Sequence, residues 1–247
     1  MKINVLSVFP EIFDSLKYGV VGKAITKKLI TIKLIDLKEF SSNSYGSIDD
    51  SPYGGGAGMV MSPEPISNAL KGINKSSHII YLSPQGKTLD QKKAKQLSRK
   101  KEMTLICGRY EGIDQRIINN YVDEEISIGD YVLSGGEIAG CVLIDCIARN
   151  IKDVLGNEES LEKDSLSNGR LKGHLYTRPD KFMKYEVPKV LMSGDHKKIE
   201  EWRIGNSLWV TKQKRPDLFQ DLQLSEKEMI LLRQYEAGIA NQETKDD

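Results

Sequence analysis

The feature that most constrains the fold is a series of short apolar segments. They alternate with amphipathic stretches over the first 150 of the chain's 247 residues. KINVLSVF at 2–9 groups β-branched residues like a strand, and ITIKLIDL at 30–37 alternates like a half-buried one. HIIYLS at 78–83 and MTLICG at 103–108 are continuous apolar runs of the kind carried by buried parallel strands. Between them, SPEPISNAL offers Ser62 as N-cap with Pro63 at the first helical position, and TLDQKKAKQLS offers Thr88 as the N-cap of another helix. EEISI at 124–128 reads as a further strand, followed by a glycine-rich turn and the apolar helix EIAGCVLIDCIARN. Strand and helix in alternation predict an α/β domain with a largely parallel sheet, since parallel neighbours need a crossover between them.

From Asp153 to Gly169 the apolar residues thin out, and NEESLEKDSLSNG predicts a linker or mobile loop. Helical signals then return. Asp195 is placed to cap HKKIEEWRIGNSLWV, and Ser225 with Glu228 forms the S-x-x-E of a capping box before MILLRQYEAG. The expected division is an α/β domain over 1–155, a linker over 156–172 and a small helical domain over 173–247.

The net charge of +1 conceals an asymmetry. Glu111 to Asp164 holds 13 acidic and 4 basic side chains, whereas Arg170 to Arg215 holds 12 basic and 5 acidic. Tyr176, Phe182, Tyr185, Trp202 and Trp209 are interleaved with that basic excess, a composition that suits a polyanion with flat bases. The lysines between Lys92 and Lys101 read instead as a solvated helix face. No apolar run approaches the roughly 20 residues that span a bilayer, and the N-terminus lacks the apolar core of a signal peptide. The cysteines Cys107, Cys141 and Cys146 lack C-x-x-C spacing, so buried free thiols in the cytoplasm are expected.

Two glycine-rich stretches, DDSPYGGGAGMVM at 49–61 and ISIGDYVLSGGEIAG at 126–140, match neither the dinucleotide fingerprint nor the Walker loop. Tight turns explain their glycines adequately. CGRYEGID at 107–114 and SPQGK at 83–87 add Gly-bearing turns directly after buried strands. Such loops gather at the carboxyl edge of an open sheet, where ligands bind. Asp145 and Arg149 lie one helical turn apart and are able to pair as an ordinary helix-end ion pair. His78, His174 and His196 are scattered without zinc-ligand spacing.

VFPEIF, DDSPYGGGAGMVM, YLSPQGK, CGRYEGID, SIGDYVLSGGE, LIDCIAR, YTRP and VPKVLMSGDHKKIEEWR occur in one order along most of the chain. Taken together they resemble the TrmD family of bacterial tRNA (guanine-N1)-methyltransferases, of the SPOUT class. The resemblance implies a homodimer whose parallel sheet contains a trefoil knot and binds S-adenosylmethionine there. It also implies methylation of N1 of guanosine 37 in tRNAs that carry a guanosine at position 36. Carried over by matching residues, the cofactor site takes in Tyr81, Leu82, Ser83, Pro84, Gln85 and Gly86, then Gly108, Arg109, Tyr110 and Glu111. Its third part is Ser127, Ile128, Gly129, Asp130, Tyr131, Val132, Leu133, Gly135 and Gly136. Asp164 is implied as general base, supplied across a dimer interface when tRNA arrives, and Arg149 as its electrostatic partner. Magnesium dependence is a family trait, with Glu111 a candidate participant and the metal site unassigned.

The chain departs from the family pattern at Ser51 and Ala57, where arginine and proline are usual, and at Ala139, where proline is usual. In GRLKGHLYTRP, Arg170 replaces an apolar residue, Lys172 an acidic one and His174 a proline; the added charge suits contact with tRNA phosphate. Two other readings stand beside the enzyme. One is an RNA-binding protein of this fold with weakened catalysis, and the other is a metabolic α/β enzyme holding phosphate on YGGGAG.

Overall fold

The structure, a computed structural model, describes residues 1–42, 47–155 and 164–243, with side chains described to residue 239. Of the linker expected over 156–172, residues 156–163 lie outside the described residues. The chain divides into two compact units, Met1–Glu158 and Glu159–Asp247.

The first unit is built in the order β1 (Lys2–Ser7), α1 (Gly19–Thr26), β2 (Thr31–Asp36), β3 (Asp49–Asp50), β4 (Val60–Met61), α2 (Pro63–Lys71) and β5 (His78–Thr88). It continues with α3 (Gln91–Leu97), β6 (Glu102–Cys107), α4 (Gln115–Tyr121), β7 (Glu124–Ser127) and α5 (Gly136–Ala148). Five strands form one sheet in the order β2-β1-β6-β5-β7, and each pairing in it is parallel. β3 and β4 pair separately as an antiparallel hairpin.

Strand alternation sorts the core into two layers. Ile3, Val5, Ile80, Leu82, Met103 and Leu105 pack with Val21 and Ala24 of α1, Leu97 of α3, and Leu143, Ile144 and Ile147 of α5. Their neighbours in register, Leu6, Tyr81 and Ile106, pack with Ile66 and Ala69 of α2 and Ile117 of α4. Burial on both faces is why these strands read as continuous apolar runs.

Local chemistry departs from the sequence reading in one place and refines it in another. Thr88 is the last residue of β5, and the cap of α3 is Asp90, whose carboxylate accepts the Lys93 amide at 2.6 Å. A carboxylate beside exposed helix N–H groups is the stronger acceptor, and it displaces the helix start by two residues. Cys107 is fully buried, whereas Cys141 and Cys146 are half-buried. Burial pushes the Cys107 thiol well above its ordinary value and also raises the other two.

The second unit contains a short hairpin of β8 (Lys181–Phe182) and β9 (Tyr185–Glu186), then α6 (His196–Lys214), α7 (Pro216–Gln220) and α8 (Glu226–Glu243). Asp195 caps α6 by accepting the Lys198 amide at 3.1 Å. Trp202 and Trp209 of α6 both pack on Tyr235 of α8, with ring centroids 5.6 and 5.9 Å apart. Tyr176 and His174 add edge contacts to these tryptophans. The two tryptophans are therefore occupied in holding the unit together, and Phe182, Tyr185 and, on its free side, Tyr176 are exposed. The buried polar residues Asn206, Ser207 and Thr211 of α6 meet the backbone of 171–174. Thr211 accepts the Leu171 amide at 2.9 Å, Ser207 donates to the Leu171 carbonyl at 2.5 Å, and Asn206 accepts the His174 amide. Each buried polar side chain is thus satisfied by backbone.

The capping box at α8 is closed. The Ser225 amide and hydroxyl donate to Glu228 at 3.0 and 2.8 Å, and Arg170 donates to the same carboxylate at 2.9 Å. The Ser225 hydrogen bonds hold the Glu228 carboxyl below its ordinary value of 4.5. A depressed folded-state value contributes stability in full above the unfolded value, and that stability is lost as pH falls through the folded one. Glu228→Gln is expected to destabilise the second unit by about 1 kcal/mol at neutral pH. In urea titrations the gap from the parent protein should close as pH is lowered below 4.5. A gap unchanged at acid pH would contradict this.

Candidate active site

β6, β5 and β7 are neighbours in the sheet, so the middle of β5 and the segments at the carboxyl ends of β6 and β7 meet. They enclose a cleft of about 310 Å³. From within β5, around the break in its pairing with β7, Tyr81, Leu82, Ser83, Pro84 and Gln85 line it; after β6, Gly108, Arg109, Tyr110 and Glu111 do. The segment after β7 contributes Ser127, Ile128, Gly129, Tyr131, Val132, Leu133, Gly135 and Gly136. Two residues named from the sequence, Gly86 and Asp130, are not among the lining. Residues outside the stretches taken over by resemblance are Gly112, Ile113, Gln115, Ile118, Ile126 and Ala139, while Ser134 lies within the stretch 127–136. Gly112 and Ile113 lie inside CGRYEGID and were legible from that string. Gln115 and Ile118 reach the cleft from α4, and no local pattern marks them.

Backbone contacts draw the three segments together. The Gly136 amide donates to the Gly108 carbonyl at 2.8 Å, and Arg109 and Gly135 form an antiparallel bridge. A β-carbon on Gly136 would lie 2.9 Å from the Cys107 α-carbon and 3.1 Å from the Gly108 nitrogen, so only glycine fits there. The ladder between β5 and β7 is interrupted after Leu82 and resumes at Lys87, both facing Ile126. Residues 83–86 bulge out between those two points. Gly86 closes the bulge, and its β-carbon would stand 2.4 Å from the backbone of Glu125 and of Ile126. Gly86 therefore answers to strand packing.

The segment 59–61 is laced along the outer side of the second loop. Met59 accepts the Glu111 amide, the Met61 amide donates to Gly112, and Met61 accepts the Asp114 amide, at 2.9–3.1 Å. The preceding Gly54, Gly55, Gly56 and Gly58 all have positive φ, and none of them lines the cleft. The tight-turn reading therefore accounts for YGGGAG. At the cleft itself Tyr110 has φ 59, a left-handed conformation that non-glycine residues seldom adopt and that clusters at functional sites. Burial pushes the Tyr81 phenol up, so its hydroxyl stays a neutral donor at physiological pH.

Neither catalytic candidate is among the lining residues. Arg149 is the C-cap residue of α5. α5 begins at the cleft with Gly136, and 13 residues at 1.5 Å each put Arg149 roughly 20 Å along the helix. Asp164 belongs to the second unit, in a turn closed by bonds from Ser167 to Asp164 and from Leu166 to Arg170. Lys172 stands 3.5 Å from the Asp164 carboxylate, and Arg170 is engaged by Glu228. Among the described residues no group of three or more His, Cys, Asp or Glu is arranged to hold a metal ion.

Residues 1–221 match the family model described as tRNA (Guanine-1)-methyltransferase TrmD. The chain belongs to this family. A protein of Finegoldia magna is 52% identical over 222 residues, covering 89% of this chain and 95% of its own. A protein of Buchnera aphidicola is 49% identical over 234 residues, covering 93% and 89%, and one of Clostridium perfringens is 46% identical over 235, covering 94% and 99%. All three are named tRNA (guanine-N(1)-)-methyltransferase.

Gly86→Ala should destabilise the first unit by about 3 kcal/mol, the upper end of overpacking costs, because backbone atoms cannot yield as a side chain can. Urea unfolding measures this; a loss under about 1 kcal/mol would show that β5 and β7 are less tightly joined than described.

Proposed function

We propose that this chain transfers a methyl group from S-adenosylmethionine to N1 of guanosine 37 in tRNAs with a guanosine at position 36, supporting reading-frame maintenance. The observation that carries the reading is a cleft where the middle of β5 meets the carboxyl ends of β6 and β7, in a chain of this family. Its residues fit such a donor. Leu82, Ile126, Ile128 and Leu133 offer apolar surface for a purine, while the glycine-bearing backbone at 108 and 135–136 brings amides and carbonyls close enough to read its edge. When bound, the donor supplies a methyl already activated on a sulfonium. The remaining demand on the protein is alignment and proton removal.

Guanine N1 carries a proton at neutral pH and must lose it before its lone pair can attack. Asp164 is assigned as the base that takes this proton. Arg149, always charged and a multiple donor, is assigned to the negative charge that moves onto O6. No step is assigned to magnesium or to Glu111 as its ligand.

The position of Arg149 supports a homodimer. Ile138, Val142, Asp145 and Arg149 follow one another at helical spacing on the side of α5 away from the core, and Ile138 and Val142 are 52% and 40% exposed. Two copies of α5 packed antiparallel about a two-fold axis would cover that stripe. They would also bring the Arg149 end of one helix to the cleft end of the other. Each site then takes its donor cleft from one copy and Arg149 from the other. The SPOUT knot is assigned to the region where the segment after β7 returns to the backbone of Gly108 and where Gly86 abuts β7. The second unit, with its basic excess and exposed Phe182 and Tyr185, is assigned to tRNA, and 164–172 to the connection that delivers Asp164. The reaction is placed in the cytoplasm; no helix of the described residues is long and apolar enough to cross a membrane.

Labelled methyl transfer to tRNA transcripts tests the reading. Transcripts with G at 36 and 37 should be labelled, and those with A at 37 should not; equal labelling would defeat the assignment. Asp164→Asn should lower kcat by about 100-fold or more while tRNA still binds, as expected on removing a general base. Undiminished turnover would remove Asp164 from the mechanism.

A further inference from the structure

Resting on the donor cleft just assigned, we infer that Glu137 and Arg109 are positioning residues, a buried ion pair that sets the distance between two walls of the cleft. Three sequence strings converge on it: VFPEIF with the serine before it, CGRYEGID and SIGDYVLSGGE. Glu137, at the first turn of α5, has a side chain only 1% exposed. Its Oε2 accepts from Arg109 Nε at 3.1 Å, and its Oε1 accepts from the hydroxyl of Ser7, the buried last residue of β1, at 2.9 Å. Ser7 in turn accepts the Phe9 amide at 3.0 Å, and the Phe9 ring lies under the Arg109 guanidinium at 4.4 Å.

The cluster closes on itself. The carboxylate belongs to the wall after β7, the guanidinium to the wall after β6, and Ser7 and Phe9 anchor both to the end of β1. A charge this deeply buried is tolerated only where it is paired and hydrogen-bonded, and here both oxygens have partners. Gly135 shows how closely the wall is laid over the pair. A β-carbon there would stand 2.5 Å from Glu137 Oε2 and 2.7 Å from Arg109 Nε. The backbone of Gly135 is extended, with φ 177, so what a β-carbon there would displace is the ion pair beneath it. The same two walls are joined by the Gly136–Gly108 hydrogen bond. The backbone bond sets one contact, and the ion pair fixes the orientation of the walls about it. Arg109, matched by resemblance to a cofactor contact, thereby acts through Glu137.

Glu137→Gln keeps the shape and the Ser7 partner while removing the charge. Arg109→Gln removes the other charge but leaves an amide able to donate to Glu137, and because the Glu137 carboxylate is 1% exposed the fold of this variant is checked by thermal unfolding before its Kd is read. Equilibrium dialysis with S-adenosylmethionine should show the Kd rising about tenfold in either variant. At saturating donor, kcat should stay within about threefold of the parent and tRNA affinity should not change. Because the two residues act as one unit, the double variant should bind no worse than the weaker single one. Ile30→Val, a core change in the same unit away from the cleft, should lower thermal stability without moving the Kd. An unchanged donor Kd in both single variants, with the parent protein binding normally, would overturn the inference alone. A parent protein that fails to bind the donor would overturn the functional reading and this inference with it.

Discussion

The close backbone contact between the segments after β6 and β7 is the constraint on which the first unit depends. Where the Gly136 amide meets the Gly108 carbonyl at 2.8 Å, two chain segments pass with no room for a β-carbon. That contact needs β6, β5 and β7 to be adjacent and in register, because the segments leave the sheet from its carboxyl edge. It also needs the apolar helix α5 to start immediately afterwards, with Leu143, Ile144 and Ile147 driven into the core. Burial of that helix holds the glycines in place, and the glycines in turn make the cleft narrow enough to be a site.

Labour is divided unevenly between rigid and separate parts. The cleft sits on buried strands and a buried helix, which suits a donor that must be oriented before anything reacts. The side chains assigned to proton removal and charge stabilisation are not in its lining. Arg149 stands at the far end of α5, and Asp164 belongs to the second unit. A cleft that binds the donor alone, and gains its reactive groups only when a second copy and the tRNA are in place, would not waste the donor on water.

Much of the first unit was legible in the residues. HIIYLS and MTLICG announced strands buried on both faces, and EIAGCVLIDCIARN announced an apolar helix, because burial writes itself into composition. The glycines of the loops were visible too, but their reasons were not. Gly86 faces strand backbone, Gly135 covers an ion pair and Gly54–Gly58 turn a loop, three causes that look identical in sequence. Gln115 and Ile118 line the cleft from α4 because of topology, which no local window contains. The tryptophans read as stacking surfaces for bases are packed on Tyr235, since composition cannot tell an aromatic that recognises a ligand from one that holds helices together. Asp164 and Arg149 came from resemblance, and neither would stand out from an ordinary surface carboxylate and a helix-end arginine.

The claim that each site draws its donor cleft from one copy and Arg149 from another is tested most directly by mixing two inactive variants. Gly108→Val obstructs the cleft, and Arg149→Ala removes the guanidinium. Each alone should fail to methylate tRNA. Unfolded and refolded together, they should form mixed dimers in which one of the two sites is intact, and activity should return. Two variants that each fold and dimerise, yet stay inactive when mixed, would contradict a site shared between copies.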